Sequence, residues 1–259
     1  MRRGSRRLLI PALGLVLALL AGCSSTPADN ATRNPGDHVT AGEAKVLADL
    51  LHRNFEAGGA DFVETAPYGE GTVLKLTGTV DFTRSVGQAK AVTTFSDGRP
   101  PDTRTVFFTT KDIWFGDVPG LPEALTAAGL PAATYMRRPL APVSSSGQGQ
   151  LVDVLARLVL NLSARSSDDP QAFEKGNYTW LGQRSINGLL ASDYTLAGGS
   201  KVAVASDKQL LQYVTRLPDQ DFEVTITLPQ HGRRTIELPA ATDTVNAADH
   251  PDIAAKLGV

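Results

Sequence analysis

Between Leu74 and Phe82 every second residue is apolar or glycine, namely Leu74, Leu76, Gly78, Val80 and Phe82, and the residues between them, Lys75, Thr77, Thr79 and Asp81, are polar. Successive side chains on an extended strand point to opposite faces, so this stretch makes a strand with one buried and one wet side. One-sided strands of this kind belong to antiparallel sheets. The two-residue period recurs in Ala89, Ala91, Thr93 and Phe95, in Thr103 to Thr110 and in Ile113 to Phe115, with breaks at Ser85 to Gly87, Asp97-Gly98 and Lys111-Asp112. No crossover helix separates these strands, so they form a meander.

A second run of strands follows residue 170: Tyr178 and Trp180, then a hairpin turned by Asn187-Gly188, then Ser192 to Leu196 and Lys201 to Ala205. Asp207 to Thr215 is expected as a short helical interruption. Phe222, Val224, Ile226 and Leu228 alternate again, and Arg234 to Leu238 is expected to pair back across the turn at Gln230 to Gly232. The tail beyond Pro239 is polar and rich in alanine.

Two stretches keep a helical period. Thr40 and Glu43 form a capping box in front of Val46, Leu47, Leu50, Leu51 and Phe55, and Gly58-Gly59 ends that helix. From about Gln148 to Ala164, Leu151, Val154, Leu155, Leu158, Val159 and Leu162 trace a second apolar stripe, widened by Val152 and Leu160. This second helix reads as a core helix on the sheet or as the wall of a lipid cavity, and the two roles are compatible. Gly120 to Pro142, with several prolines around a helical piece from Pro122 to Ala128, reads as a lid or connection instead of a strand.

The N-terminus has a different character. Arg2, Arg3, Arg6 and Arg7 precede an apolar run from Leu8 to Ala21 that is too short for a stable membrane anchor, which is the make-up of an export signal. It ends in Leu20-Ala21-Gly22-Cys23, and Cys23 is the only cysteine of the 259 residues. This stretch resembles the lipobox of bacterial lipoproteins, and the resemblance implies cleavage before Cys23 and a diacylglyceryl or acyl anchor (palmitate, for example) on its thiol. Two acyl chains, at roughly 0.8 kcal/mol per buried CH₂, hold a protein firmly where one is marginal. The expected organisation is a signal peptide over 1–22, a flexible tether over 23–39 and one domain over 40–259, placed on the extracytoplasmic face of the cell membrane.

Without residues 1–22 the chain carries 21 basic and 27 acidic residues, a formal charge of −6, and its only basic doublets are Arg137-Arg138 and Arg233-Arg234. That balance argues against a nucleic-acid partner, and the doublets read as solvated surface. No catalytic or metal site is expected. The four histidines, His38, His52, His231 and His250, are scattered, and the grouping of Asp249, His250 and Asp252 is a weak ligand set. There is no Gly-x-Ser-x-Gly elbow, His-Glu-x-x-His motif or phosphate loop. Asp168-Asp169 reads as a turn.

The lipobox, the Leu76-x-Gly78-x-Val80-Asp81 strand, and Gly182 with Asn187-Gly188 and Tyr194 together resemble the LolA-like superfamily, and more narrowly the LppX/LprA/LprF/LprG lipoproteins of actinobacteria. The excess of arginine over lysine and the abundance of Ala, Gly and Pro are similar to an actinobacterial composition. The resemblance implies an α+β fold, a curved antiparallel half-barrel sheet covering helices, with an apolar cavity for acyl chains of lipids or lipoproteins. The cavity candidates are Leu74, Leu76, Val80, Phe82, Trp114, Leu151, Val154, Leu155, Leu158, Val159 and Leu162. The implied function is binding and transport of lipids without enzymatic activity and without a cofactor beyond the anchor. The alternative is an envelope sensor that uses the same fold to bind a partner protein. Lys201 to Tyr213 departs from the family pattern, since it has no tryptophan.

Overall fold

The computed structural model of the chain describes residues 33–141, 150–218 and 220–259. The Leu20 to Cys23 stretch, expected to be a lipobox, and the first residues of the expected second helix lie outside them. The first helix, α1 (Ala41–Ala57), has both halves of the capping box: Glu43 N–H donates to Thr40 Oγ1 at 3.3 Å, and Thr40 N–H donates to Glu43 Oε2 at 2.8 Å. Gly58 closes the helix at φ 85°, a left-handed cap that glycine adopts without steric cost.

Five strands then run as a meander: β1 (Gly59–Pro67), β2 (Thr72–Asp81), β3 (Val86–Phe95), β4 (Asp102–Thr109) and β5 (Asp112–Gly116). The short helix α2 (Leu121–Ala127) leads to β6 (Tyr135–Pro139), and α3 (Leu151–Leu160) and α4 (Pro170–Lys175) follow. The second run is β7 (Thr179–Ile186), β8 (Leu189–Thr195), β9 (Lys201–Ala205), β10 (Leu210–Arg216) and β11 (Glu223–His231), and the chain ends with β12 (Thr244–Asn246) and α5 (Pro251–Leu257).

Among the described residues the twelve strands belong to one sheet in the order β12-β6-β5-β4-β3-β2-β1-β11-β10-β9-β8-β7. Every neighbouring pair is antiparallel except β12 with β6, and β7 does not pair with β12, so the sheet is open. The fold is therefore α+β, as the alternation requires. One continuous apolar core joins α1, α2 and α3 to strands from β5 to β8. Those nine strands would span about 38 Å if flat, at ~4.8 Å per strand, whereas α3 with ten residues is about 15 Å long. The sheet must bend around its helices for one core to include both ends.

Within that core, Phe62, Leu76, Val80, Val106, Phe108, Ile113 and Ile226 are buried on the helix side. Phe108 lies across Gly87 on the neighbouring strand, where a Cβ would fall 2.1 Å from its ring, so only glycine leaves room there.

Several expectations are corrected. The Gly120 to Pro142 stretch contributes β6, a strand, and is not a lid; it escapes the alternation rule because Met136 is its one fully buried residue and a proline ends it. Asp207 to Thr215 holds no helix. A turn with Lys208 at φ 69° reverses the chain into β10, and a bulge between Leu210 and Gln212 puts Leu211 and Gln212 on the outer face and leaves Leu210 and Tyr213 on the inner one, a three-residue spacing that imitates a helix in the sequence. Arg234 to Leu238 forms no strand, because β1 and β10 already occupy both sides of β11. That segment crosses the outer face, where Ile236 packs with Val86, Phe107 and Trp114. The polar, alanine-rich tail supplies β12 and α5, and Arg104 donates to the carbonyls of Leu257 and Gly258. The segment expected as tether is engaged from Gly36 on: Gly36 N–H donates to Trp180 O, Trp180 N–H to Asp37 O and Val39 N–H to Tyr178 O.

Candidate functional site

Among the described residues, two hollows lie between the helices and the inner face of the sheet. After α3 the chain is strapped to α1: Ala164 N–H donates to Leu51 O, Asp168 N–H to Ala48 O, and Ser167 Oγ to Asp49 Oδ1 at 2.6 Å. Asn54, fully buried on α1, donates through Nδ2 to Leu162 O at 2.6 Å. Its Oδ1 stands 3.1 Å from His231 Nε2, and since an amide oxygen only accepts, Nε2 carries the proton. Burial holds the imidazole pKa of His231 below its usual value, with Asp207 opposing the shift. Asp168-Asp169 is more than a turn, for Asp169 Oδ1 accepts from Gln171 N–H and caps α4.

This strapping leaves the larger hollow, of about 380 Å³, between α1, the end of α3, α4, β9 and β10. Leu47, Leu50, Leu51, Leu158, Leu162, Phe173, Val202 and Leu210 make it apolar, and Asn161, Asp168, Tyr178 and Tyr213 supply its polar atoms. Phe173 and Tyr178 stack at one wall with ring centroids 4.6 Å apart. A methylene occupies about the volume of a liquid water, ~30 Å³, so the hollow holds roughly a dozen of them. That lies at the low end of small-molecule sites.

The smaller hollow, of about 300 Å³, lies beneath the other end of α3, lined by Tyr68, Leu74, Phe115, Leu151 and Val152 with Asp102 and Arg104 at its polar side. Between the two the interior is filled. Leu155, Ala156 and Val159 of α3 are fully buried, as are Leu76 and Val80 of the sheet, all in the same core.

The sequence candidates therefore separate. Leu158 and Leu162 line the larger hollow, and Leu74 and Leu151 the smaller. Leu76, Val80, Phe82, Leu155 and Val159 are packed core, with Val154 half-buried against it. Trp114 does not belong with them: Ile113 and Phe115 take the inner face of β5, so Trp114 points to the outer one, against Ile236.

Arg138 is not solvated surface. Its guanidinium donates through Nη1 and Nη2 to Asp153 Oδ2 and Oδ1 at 2.8 and 2.9 Å, and Asp153, 1% exposed, also accepts from Ala141 N–H at 2.9 Å. Arg157 donates to the carbonyls of Leu140 and Ala141. These bonds pin α3 to the segment leaving β6 and fix the roof over both hollows.

Sequence reasoning missed Glu64. It is fully buried on the inner face of β1, in step with Ala60, Phe62 and Ala66, and neither carboxyl oxygen has a hydrogen-bond partner. Burial pushes its pKa well above the ordinary carboxyl value. The two-residue period from Ala60 through Ala66 was the signal, and it places the glutamate on the apolar side. Among the described residues no group of three or more His, Cys, Asp or Glu gathers as a metal site, and no helix is long and apolar enough to cross a membrane.

The class this architecture defines is an α+β domain on one open antiparallel sheet with apolar hollows under its helices. No protein-family model and no curated protein matches the chain. Among solved structures it is similar to the crystal structure of LprF from Mycobacterium bovis, at 13% identity over 79% of this chain and 99% of that one, with a TM-score of 0.45.

Proposed function

We propose that this chain is a lipid-anchored, extracytoplasmic member of the LolA-like, LppX/LprAFG-type lipoproteins that binds a single apolar chain of a lipid or lipidated molecule. The observation that carries the reading is the larger hollow: about 380 Å³, walled by leucines of two helices with Val202 of β9 and Leu210 of β10, and with a few polar atoms among them. Burial of an acyl chain there supplies affinity at about 25 cal/mol per Å² of apolar surface, without any chemical step. The lipobox-like Leu20 to Cys23 stretch supports anchoring through Cys23. The divided interior argues for one chain at a time and against a bulky multi-chain cargo.

The Cys23→Ser protein, which lacks the covalent anchor, is to be purified without detergent and weighed by native mass spectrometry. Non-covalent adducts with masses of acylated molecules are expected, and they are expected to dissociate when the protein is unfolded. A bare polypeptide mass, unchanged after incubation with fatty acids, would refute the reading.

A further inference from the structure

Glu64 occupies a defined place between the two hollows. In the sheet register Glu64 faces Leu76 of β2, which faces Ala91 of β3; on the other side it faces Ile226 of β11, which faces Tyr213 of β10. Tyr213 lines the larger hollow and Ala91 the smaller. Glu64 therefore lies midway on a straight cross-strand row, two strand spacings, or about 10 Å, from a wall of each hollow.

The roof matches this floor. Leu151 and Val152, at the start of α3, line the smaller hollow; Leu158, Asn161 and Leu162, at its end, line the larger. The buried middle of α3, with Leu155, Ala156 and Val159, therefore passes over the strip that holds Glu64. A buried polar group without a partner carries a desolvation cost that no contact returns, and such groups are rare in folded proteins.

We propose, building on the apolar-chain reading above, that the two hollows are the ends of one binding track running across the strands beneath α3, and that Glu64 is its polar contact, taking a hydroxyl group in the middle of a long apolar chain. A neutral carboxylic acid offers one O–H donor and one carbonyl acceptor, and a hydroxyl both accepts and donates, so a single group satisfies both. A charged headgroup does not fit there, because the strip is lined by Leu76, Ile226 and the apolar face of α3. The chain replaces apolar side-chain contacts with contacts of the same kind as leucine side chains change rotamer, and the hydroxyl gives the Glu64 carboxyl the partners it lacks.

The test is displacement of a fluorescent fatty acid from the Cys23→Ser protein by three probes: methyl octadecanoate, methyl 12-hydroxyoctadecanoate and methyl 2-hydroxyoctadecanoate. The 12-hydroxy ester is expected to bind roughly three- to tenfold more tightly than the plain ester, the worth of one net hydrogen bond. The 2-hydroxy ester, whose hydroxyl lies at the chain end, is expected to match the plain one. In Glu64→Leu the preference for the 12-hydroxy over the plain ester is expected to vanish, and in Glu64→Gln, which can still donate and accept, it is expected to remain. Equal binding of the plain and 12-hydroxy esters by the unsubstituted protein, or a preference that survives in Glu64→Leu, would overturn the role of Glu64 and leave apolar-chain binding standing. Failure of every ester and of the fluorescent acid to bind would instead overturn the apolar-chain reading itself.

Discussion

Replacing Arg138 by methionine tests whether α3 is held over the sheet by one buried ion pair. Asp153 is 1% exposed and accepts three hydrogen bonds, two of them from Arg138. Arg138→Met keeps most of the side-chain volume but leaves a buried carboxylate with Ala141 N–H alone, a loss of about 3–5 kcal/mol by analogy with other broken buried pairs. For a domain of this size each kcal/mol moves Tm by roughly 2–4 °C, so the variant should melt about 6–20 °C lower. Removing both charges in Arg138→Met/Asp153→Leu should recover most of that loss, since an apolar replacement of a buried pair is often neutral or better. Lys201 and Glu223, whose side chains are about half exposed and 3.4 Å apart, give the comparison: Lys201→Met should cost no more than about 1 kcal/mol. Urea unfolding followed by tryptophan fluorescence at Trp114 and Trp180 measures all four proteins. An Arg138→Met protein within 1 kcal/mol of the parent, or a double variant no more stable than the single one, would refute the reasoning.

Other outcomes follow from the same structure. Glu64 stays protonated in the fold above the ordinary carboxyl pKa because burial penalises its charge, so the unfolded chain loses the proton first as pH rises. Stability should then fall by about 1.4 kcal/mol per pH unit from near pH 4.3 up to the raised folded pKa, and Glu64→Gln should flatten that slope in urea titrations across pH. His231 behaves in the opposite sense: its folded pKa is lowered by burial, so stability should decline as pH falls below about 6.5, and His231→Gln should remove that part of the decline. Leu155→Ala, in the filled strip of α3, should cost about 2–5 kcal/mol in the same unfolding assay. Cys23→Ser should move the protein from the membrane fraction to the medium; retention in the membrane would contradict anchoring through that thiol.

The strands were legible where one face is buried and the other wet, as in Leu74 to Phe82, because period two then leaves no ambiguity. The capping box at Thr40 and the Asn187-Gly188 turn, with Asn187 at φ 52° and Gly188 at φ 82°, were legible because each rests on local chemistry. β10 was hidden by a bulge that breaks its period, and β6 and β12 by their shortness. The course of residues 234–238 depended on which strands flank β11, a long-range pairing that no local pattern encodes. The same division holds for the site. Apolar stripes named Leu158 and Leu162 but could not separate lining residues from packed core, which depends on how closely α3 approaches the sheet. Glu64 and the Arg138 to Asp153 pair were passed over because charged residues are most often exposed; the alternation from Ala60 to Ala66 marks the side on which Glu64 lies, whereas the ion pair follows only from how α3 meets the segment after β6.

The most direct measurement places the ligand. A fatty acid with a photoreactive diazirine at its methyl end is bound to the Cys23→Ser protein, irradiated, and the modified peptides are identified by mass spectrometry. Labelling should fall on residues 47–51, 158–162 and 196–213, which wall the larger hollow, and excess unlabelled fatty acid should suppress it. Labelling spread over the outer face around Trp114 and Ile236, or undiminished by competitor, would contradict an apolar chain held beneath the helices.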